Sequence, residues 1–335
     1  MTRENHGTAI VLGGNTLTTL TFLSAGSYGR EHDNTVVNSD ATRMKYINVT
    51  GAGLYRLYPK QVAMVVKLNG VWVVHSPGRW KLEENPTVFW ASLSGSDRND
   101  GLVRSSPLPV ADALSRIKND IDINAKTVIL KLADGTWGAL PHLAGHWSGS
   151  HSIEIHGNPN APSVVVAPGA GEIGLYVTDY ARCIVRYVSF AGHPTSALVK
   201  SEQLGVVGLA NCRFGNAGNQ VVAVNNGNVR FNASCTFTGS CIAALLSYGR
   251  GRIELDAVNY MIDGPMTFSY FAGCSLHSTI LVNPGATFTG SGAGEASSGK
   301  KFEMEGLSAV HTSGGGPDFF PGNQAGSKDA TSFYA

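Results

Sequence analysis

Cys183–Gly192 (CIVRYVSFAG), Val206–Asn216 (VVGLANCRFGN), Asn228–Gly239 (NVRFNASCTFTG), Arg252–Gly264 (RIELDAVNYMIDG) and Ser278–Gly290 (STILVNPGATFTG) repeat one pattern. Each has a short apolar run, a corner and a second short run that ends near a glycine. Aligning the apolar residue near each closing glycine gives Phe190, Phe214, Phe237, Ile262, Phe288 and Val310, at spacings of 24, 23, 25, 26 and 22. Two residues before the first four stand Val188, Cys212, Cys235 and Tyr260. A period in the low-to-mid twenties suits one coil of a right-handed parallel β-helix. Inward side chains of each coil stack on the next and build a core that no single coil could bury. An antiparallel sandwich also shows short strands at regular intervals, but its strands run nearer six residues and join through two-residue hairpins.

Working outward, IEIHGNP (153–159) and VVVAPGAG (164–171) carry the same texture back to about residue 138. Upstream, residues 86–137 form the α/β piece. Thr87–Ala91 reads as a strand, and SGSDRNDG (Ser94–Gly101) as a turn-rich loop. Pro109 opens a helix with Val110, Ala113, Leu114 and Ile117 on one face. Thr127–Leu132 is the next strand, closed by Asp134-Gly135. Residues 1–85 form a small β-rich domain. In it, Val62–Leu68 and Val71–Val74 flank Asn69-Gly70, a strong hairpin signal. Ser24–Thr42 reads as a long polar loop, and residues 313–335 as a Gly/Pro-rich tail after the 138–312 solenoid.

Composition agrees with a mostly β chain. The 335 residues include 41 glycines, and only 15% are charged, which argues against a bundle or coiled coil. With 25 basic and 24 acidic residues there is no concentrated positive charge to neutralise a nucleic-acid backbone. No apolar run reaches the length of a membrane span, and MTRENHGTAIVLGG lacks a signal-peptide pattern. Five cysteines without a CxxC spacing point to reduced thiols in a protein assembled in cytoplasm.

The stretch VFWASLSGSDRNDGLVRSSPLPVADALSRIKND (88–120) followed by KTVILKLADGTW (126–137) resembles the opening of pectin-lyase-like β-helix domains in bacteriophage tail spikes. Their strand, G-S-D-x-N-D-G loop, capping helix and A-D-G-T-aromatic strand correspond to Thr87–Ala91, Gly95–Gly101, Val110–Ile117 and Ala133–Trp137. A helix there would cover the open end of the solenoid, where strand edges and apolar side chains are otherwise bare. FFPGNQAGSKDATSFY (319–334) is similar to C-terminal ends of phage tail proteins, and residues 1–85 look like a virion-anchoring module. The resemblance implies a homotrimer in the virion tail, docked on other tail or baseplate proteins through residues 1–85. It also implies recognition of host cell-surface polysaccharide. Alternatives on the same fold are a polysaccharide depolymerase, hydrolase or lyase, and a head fibre or decoration protein.

Few motifs suggest chemistry. Gly294–Lys301 imitates a P-loop but has Lys301 where Ser or Thr must hold magnesium, so no nucleotide is expected. His142, His146, His151 and His156 sit among Pro141 and Gly145, which disfavour a helical zinc pair. The Asp97–Asp100 loop has Leu108 where a calcium loop needs Glu. No metal or cofactor is therefore expected. Cys212 and Cys235 read as core thiols. Glycan cleavage by hydrolysis needs two carboxylates about 5–9 Å apart. Glu254 and Asp256, two apart on one strand, are candidates, together with Asp263, Glu202 and Asp179. Tyr248, Arg250, Arg252 and Tyr270 are candidates for binding sugar. About seven coils at ~4.8 Å each give a stub of roughly 35 Å.

Overall fold

The computed structural model describes residues 9–12, 18–20, 33–38, 45–49, 53–58, 61–68, 71–75, 78–82, 85–149, 152–160 and 163–335. From Thr87 onward the chain is a parallel β-helix of about eight turns, one more than the coil spacing suggested. A full turn lays a strand on each of three faces, and the turns at the two ends are incomplete. The first face holds ten strands, from Thr87–Ala91 to Phe333–Tyr334. The second holds seven, from Gly135–Trp137 to Thr287–Thr289, and the third eight, from Leu143–Ala144 to Ser327–Lys328. Neighbouring strands on every face run parallel, so the sandwich alternative is excluded.

Strand alternation decides what faces inward. Val128–Leu132 buries Val128, Leu130 and Leu132 and turns Ile129 and Lys131 outward. Trp137, Val166, Phe190, Phe214, Phe237 and Ile262 lie in register down the second face. Phe214 rests between Phe190 and Phe237, at ring separations of 5.7 and 5.4 Å. Two expected members of this column stand elsewhere. Phe288 pairs with Tyr260, not Ile262, and so continues the column of Val188, Cys212 and Cys235. Val310 pairs with Ile280 on the first face. The cause is the varying corner between first and second faces: 187–188 join one pair of strands, but 283–286 join another. Counting between glycines therefore slips.

The corner from third to first face supplies a column the spacing analysis overlooked. Ala181, Gly205, Gly227, Gly251, Ser278 and Ser308 occupy equivalent places in successive turns. A Cβ on Gly205, Gly227 or Gly251 would lie 2.4, 2.1 or 2.1 Å from the carbonyl oxygen of Val177, Ser201 or Ala223 in the preceding coil. At Ser278 and Ser308 the hydroxyl instead donates to the corresponding carbonyls of Ser247 and Cys274, at 2.7 and 2.9 Å. Small residues are needed because the hydrogen-bond ladder sets the coil separation and leaves no room for more.

The helix spans Val110–Asn119 and buries Ala113, Leu114 and Ile117 against the first strands of the solenoid. Arg116, fully buried beside them, donates through Nη1 to Asn99 O at 2.7 Å and through Nη2 to Asp97 O. This explains the Asp-rich loop: it offers backbone carbonyls to a guanidinium from the helix. Asp100 closes the loop by accepting from the Leu102 N–H at 3.1 Å.

In the N-terminal region, Val62–Leu68 and Val71–His75 pair antiparallel with Leu68 opposite Val71, as the hairpin signal requires. The Asn69-Gly70 turn itself lies outside the described residues. Within the stretch expected as a loop, Asp33–Asn38 is a strand between Ala9–Leu12 and Val62–Leu68. Its Thr35-Val36-Val37 core is β-branched, and polar flanks hid it. Residues 24–32 and 39–42 of that stretch are outside the described residues. At the other end, residues 313–335 add Ser327–Lys328 and Phe333–Tyr334 to two faces instead of trailing away. Gly294–Ala296 is a single 3-10 turn running into the strand Ser298–Met304, so the P-loop likeness has no phosphate-cradling helix.

Candidate functional site

The five candidate carboxylates fall in three separate places. Glu254 faces outward in the first-face strand Arg252–Leu255, but Asp256, expected on the same strand, stands one residue past its end. Each is already engaged. Arg252 Nε lies 2.5 Å from Glu254 Oε1. Arg230, from the preceding coil, grips Asp256 through Nη2 at 2.9 Å and Nε at 3.2 Å, and Asn283 of the next coil donates to it at 3.0 Å. Asp263 lies past the second-face strand Asn259–Ile262 and pairs with Arg213, two coils earlier, at 2.7 Å.

Asp179 and Glu202 lie at the corner between third and first faces in successive coils. Glu202 accepts from Lys200 at 2.7 Å, Tyr176 Oη at 2.6 Å and Asn225 Nδ2 at 2.8 Å. Burial pushes its carboxyl up, but those three hydrogen bonds and the Lys200 charge outweigh burial and hold it at about 2. Burial, then the bond to Glu202, raises the Tyr176 hydroxyl to about 12. Asp179 accepts from Thr178 Oγ1 at 2.9 Å, and that hydroxyl also meets His142 Nε2 at 2.8 Å. The Tyr176 ring stacks on His142 at 4.5 Å and carries the Lys200 ammonium 5.1 Å from its centroid. With His142 stacked on it and the ammonium beside it, the ring is a poor platform for a sugar.

The sugar-binding candidates divide as well. Tyr248, Arg250 and Arg252 follow one another around that same corner, two turns beyond Glu202. Arg250 stands at the exposed tip with φ +65°. Tyr270 is not with them. It pairs with Ala243 at the far end of the third face, five residues or about 16 Å along the strand from Tyr248. Its ring edge lies over Gly273, where a Cβ would come within 2.3 Å of Cε2. Among the histidines, His146 stacks on Tyr180 at 5.1 Å and His156 bonds Glu154 at 2.6 Å, while His151 lies outside the described residues. No group of three His, Cys, Asp or Glu side chains is arranged to hold a metal among the described residues.

A groove on the second face escaped the sequence analysis. Two depressions, of 360 and 350 Å³, meet at Ser189 and Arg213. Val165, Phe190, Ala191 and Gly215 help to floor the first, with Asn216 and Thr238 also lining it. Asn158, Asn160, Tyr187 and Asn211 line the second. It exists because second-face strands here are only two residues long and present Ser189, Ala191 and Gly215 where larger side chains would fill the hollow. Gln220, fully buried, donates to Gly215 O at 2.8 Å and Thr238 O at 2.9 Å, tying together corners of successive coils. Asn216 Oδ1 accepts from Ser240 N at 2.7 Å, and the missing Cβ of Gly239 leaves it room. A run of small outward residues beside asparagine corners was the available sequence signal.

No family model, curated protein or solved structure matches this chain. Hydrolysis with two carboxylates requires one that holds a proton and one that does not. Glu202 is committed to the ionised form, and Glu254, Asp256 and Asp263 are each occupied by an arginine.

Proposed function

We propose that this chain is a bacteriophage virion structural protein, a short homotrimeric tail spike or fibre that adsorbs to host cell-surface polysaccharide. The observation that carries the reading is the cap. Strand, Gly95–Gly101 loop, Val110–Asn119 helix and strand Val128–Leu132 occur together, in the order the tail-spike resemblance implies, at the first turn of a parallel β-helix. Residues 1–85 serve as the attachment module for other tail or baseplate proteins. A firm joint to the solenoid supports that role. Trp80–Lys81 pairs with Ile121–Asp122, Tyr58 stacks on Trp80 at 5.0 Å, and Asp120 accepts from Tyr58 Oη at 2.9 Å and Arg56 at 3.3 Å. Such a joint would pass load from an adsorbed tip to the particle.

The paired carboxylates favour adhesion over depolymerisation. The test is an assembled particle lacking this protein. Loss of adsorption, with antibody against the chain labelling the tail of complete particles, is expected. Normal adsorption would refute the receptor-binding role, and label on the head would replace the spike with a head fibre. Release of new reducing ends from host capsule or lipopolysaccharide by purified protein would instead make it a depolymerase.

A further inference from the structure

We infer that the second-face groove around Arg213 is the polysaccharide seat, and that it takes an acidic sugar whose carboxylate docks on Arg213. The inference rests on the adhesive reading above and names its ligand class. A sugar ring offers an apolar C–H face and a rim of hydroxyls. The groove offers the complement: carbon on its floor from Val165, Ala191 and Gly215, with polar groups at its margin. Asn160 and Asn211 have no side-chain partner among the described residues, and the Asn216 amide nitrogen is also free. The lining spans about three coil rises, roughly 14 Å, the reach of a short oligosaccharide.

Charge selects the class of sugar. Arg213 is the charged side chain of the lining, and two carboxylates border it: Asp263, paired with Arg213, and Asp134, which accepts from Asn158 Nδ2 at 3.1 Å. Its partner Asp263 uses one guanidinium N–H, and both side chains are widely exposed, 42% and 53%. Exposed pairs of this kind hold their partners weakly, so the arginine is not locked away. Its other N–H groups have no partner among the described residues, and a planar guanidinium can take a carboxylate through two parallel bonds. Two arginines of the first face differ. Arg230 already grips Asp256 through two nitrogens, and Arg186 is paired with Glu154 at 3.0 Å.

The test is calorimetric titration of the purified full chain with oligosaccharides of polygalacturonate, alginate and polysialic acid. Carboxyl-reduced forms of the same sugars are titrated in parallel. At least one acidic series should bind, and binding should fall about tenfold or more on carboxyl reduction or in Arg213→Ala. Arg230→Ala, equal in charge change but on another face, should leave binding unchanged, and Asp263→Asn should not weaken it. Thermal midpoints of all variants check that each is folded. Equal binding by Arg213→Ala, equal binding of reduced sugars, or no binding of any acidic series would overturn the inference. Particle adsorption separates the two claims. If particles lacking the protein fail to adsorb while no acidic sugar binds, the adhesive reading stands and this one falls.

Discussion

Gly227→Ala is expected to destabilise the solenoid, although glycine-to-alanine changes ordinarily stabilise a compatible site by about 0.4–1 kcal/mol through the unfolded chain. The new Cβ would stand 2.1 Å from Ser201 O and 2.4 Å from Ser201 C. Relief to ordinary contact needs a backbone shift of about 1 Å, in an interior packed as tightly as an organic crystal. The corner is held by Asn228 N to Gly205 O at 3.0 Å, Asn226 N to Gly249 O at 3.2 Å and Gln203 N to Asn225 O at 3.0 Å. Moving it by that amount takes two of these bonds beyond hydrogen-bonding range, at about 1 kcal/mol each. Residual overpacking adds about 1–3 kcal/mol. After the unfolded-chain gain is subtracted, the net loss is about 2–5 kcal/mol, which lowers a thermal midpoint by about 4–10 °C. Scanning calorimetry at a fixed scan rate measures it. Ser278→Ala, at the equivalent place, removes a buried hydroxyl that bonds Ser247 O and should cost about 1–2 kcal/mol by a different route. A midpoint for Gly227→Ala equal to or above that of the parent would refute the stacked-corner argument.

Arg116→Met should lower stability by about 2–4 kcal/mol, because it removes the guanidinium that donates to the part-buried carbonyls of Asn99 and Asp97. Limited proteolysis should then cut first between residues 94 and 108, and an unchanged digest would count against the cap being tied this way. Burial pushes the Cys183 thiol up to about 12 and the Cys235 thiol well above its ordinary value. Cys212 is as buried as these two, so reagent is kept from all three: iodoacetamide at pH 8 should leave Cys183, Cys212 and Cys235 unlabelled until denaturant is added, and native labelling would remove them from the core. Glu202→Gln tests the ion-pair cluster by its pH dependence. The folded carboxyl sits below its ordinary value, so its contribution is present above about pH 4.5 and fades as pH falls towards 2. Denaturant midpoints should show the variant less stable at pH 6 and indistinguishable from the parent near pH 2. A constant gap at both pH values would assign the cluster's effect to packing.

The amino-acid sequence alone determined whatever depends on near neighbours. Thr87–Ala91, the helix opening at Pro109, the strands flanking Asn69-Gly70, and the inward stacks of Phe190, Phe214 and Phe237 and of Cys212 and Cys235 all follow from two-residue or helical alternation and turn chemistry. The tertiary structure alone decided which residues meet across coils. Arg213 reaches Asp263 fifty residues away, Phe288 joins Tyr260, and the groove is assembled from corners of four successive turns. The division has one physical origin. A side chain's inward or outward direction is set within its own strand, but its neighbour in the next coil depends on the length of every intervening corner. Those corners gain or lose residues without disturbing the ladder.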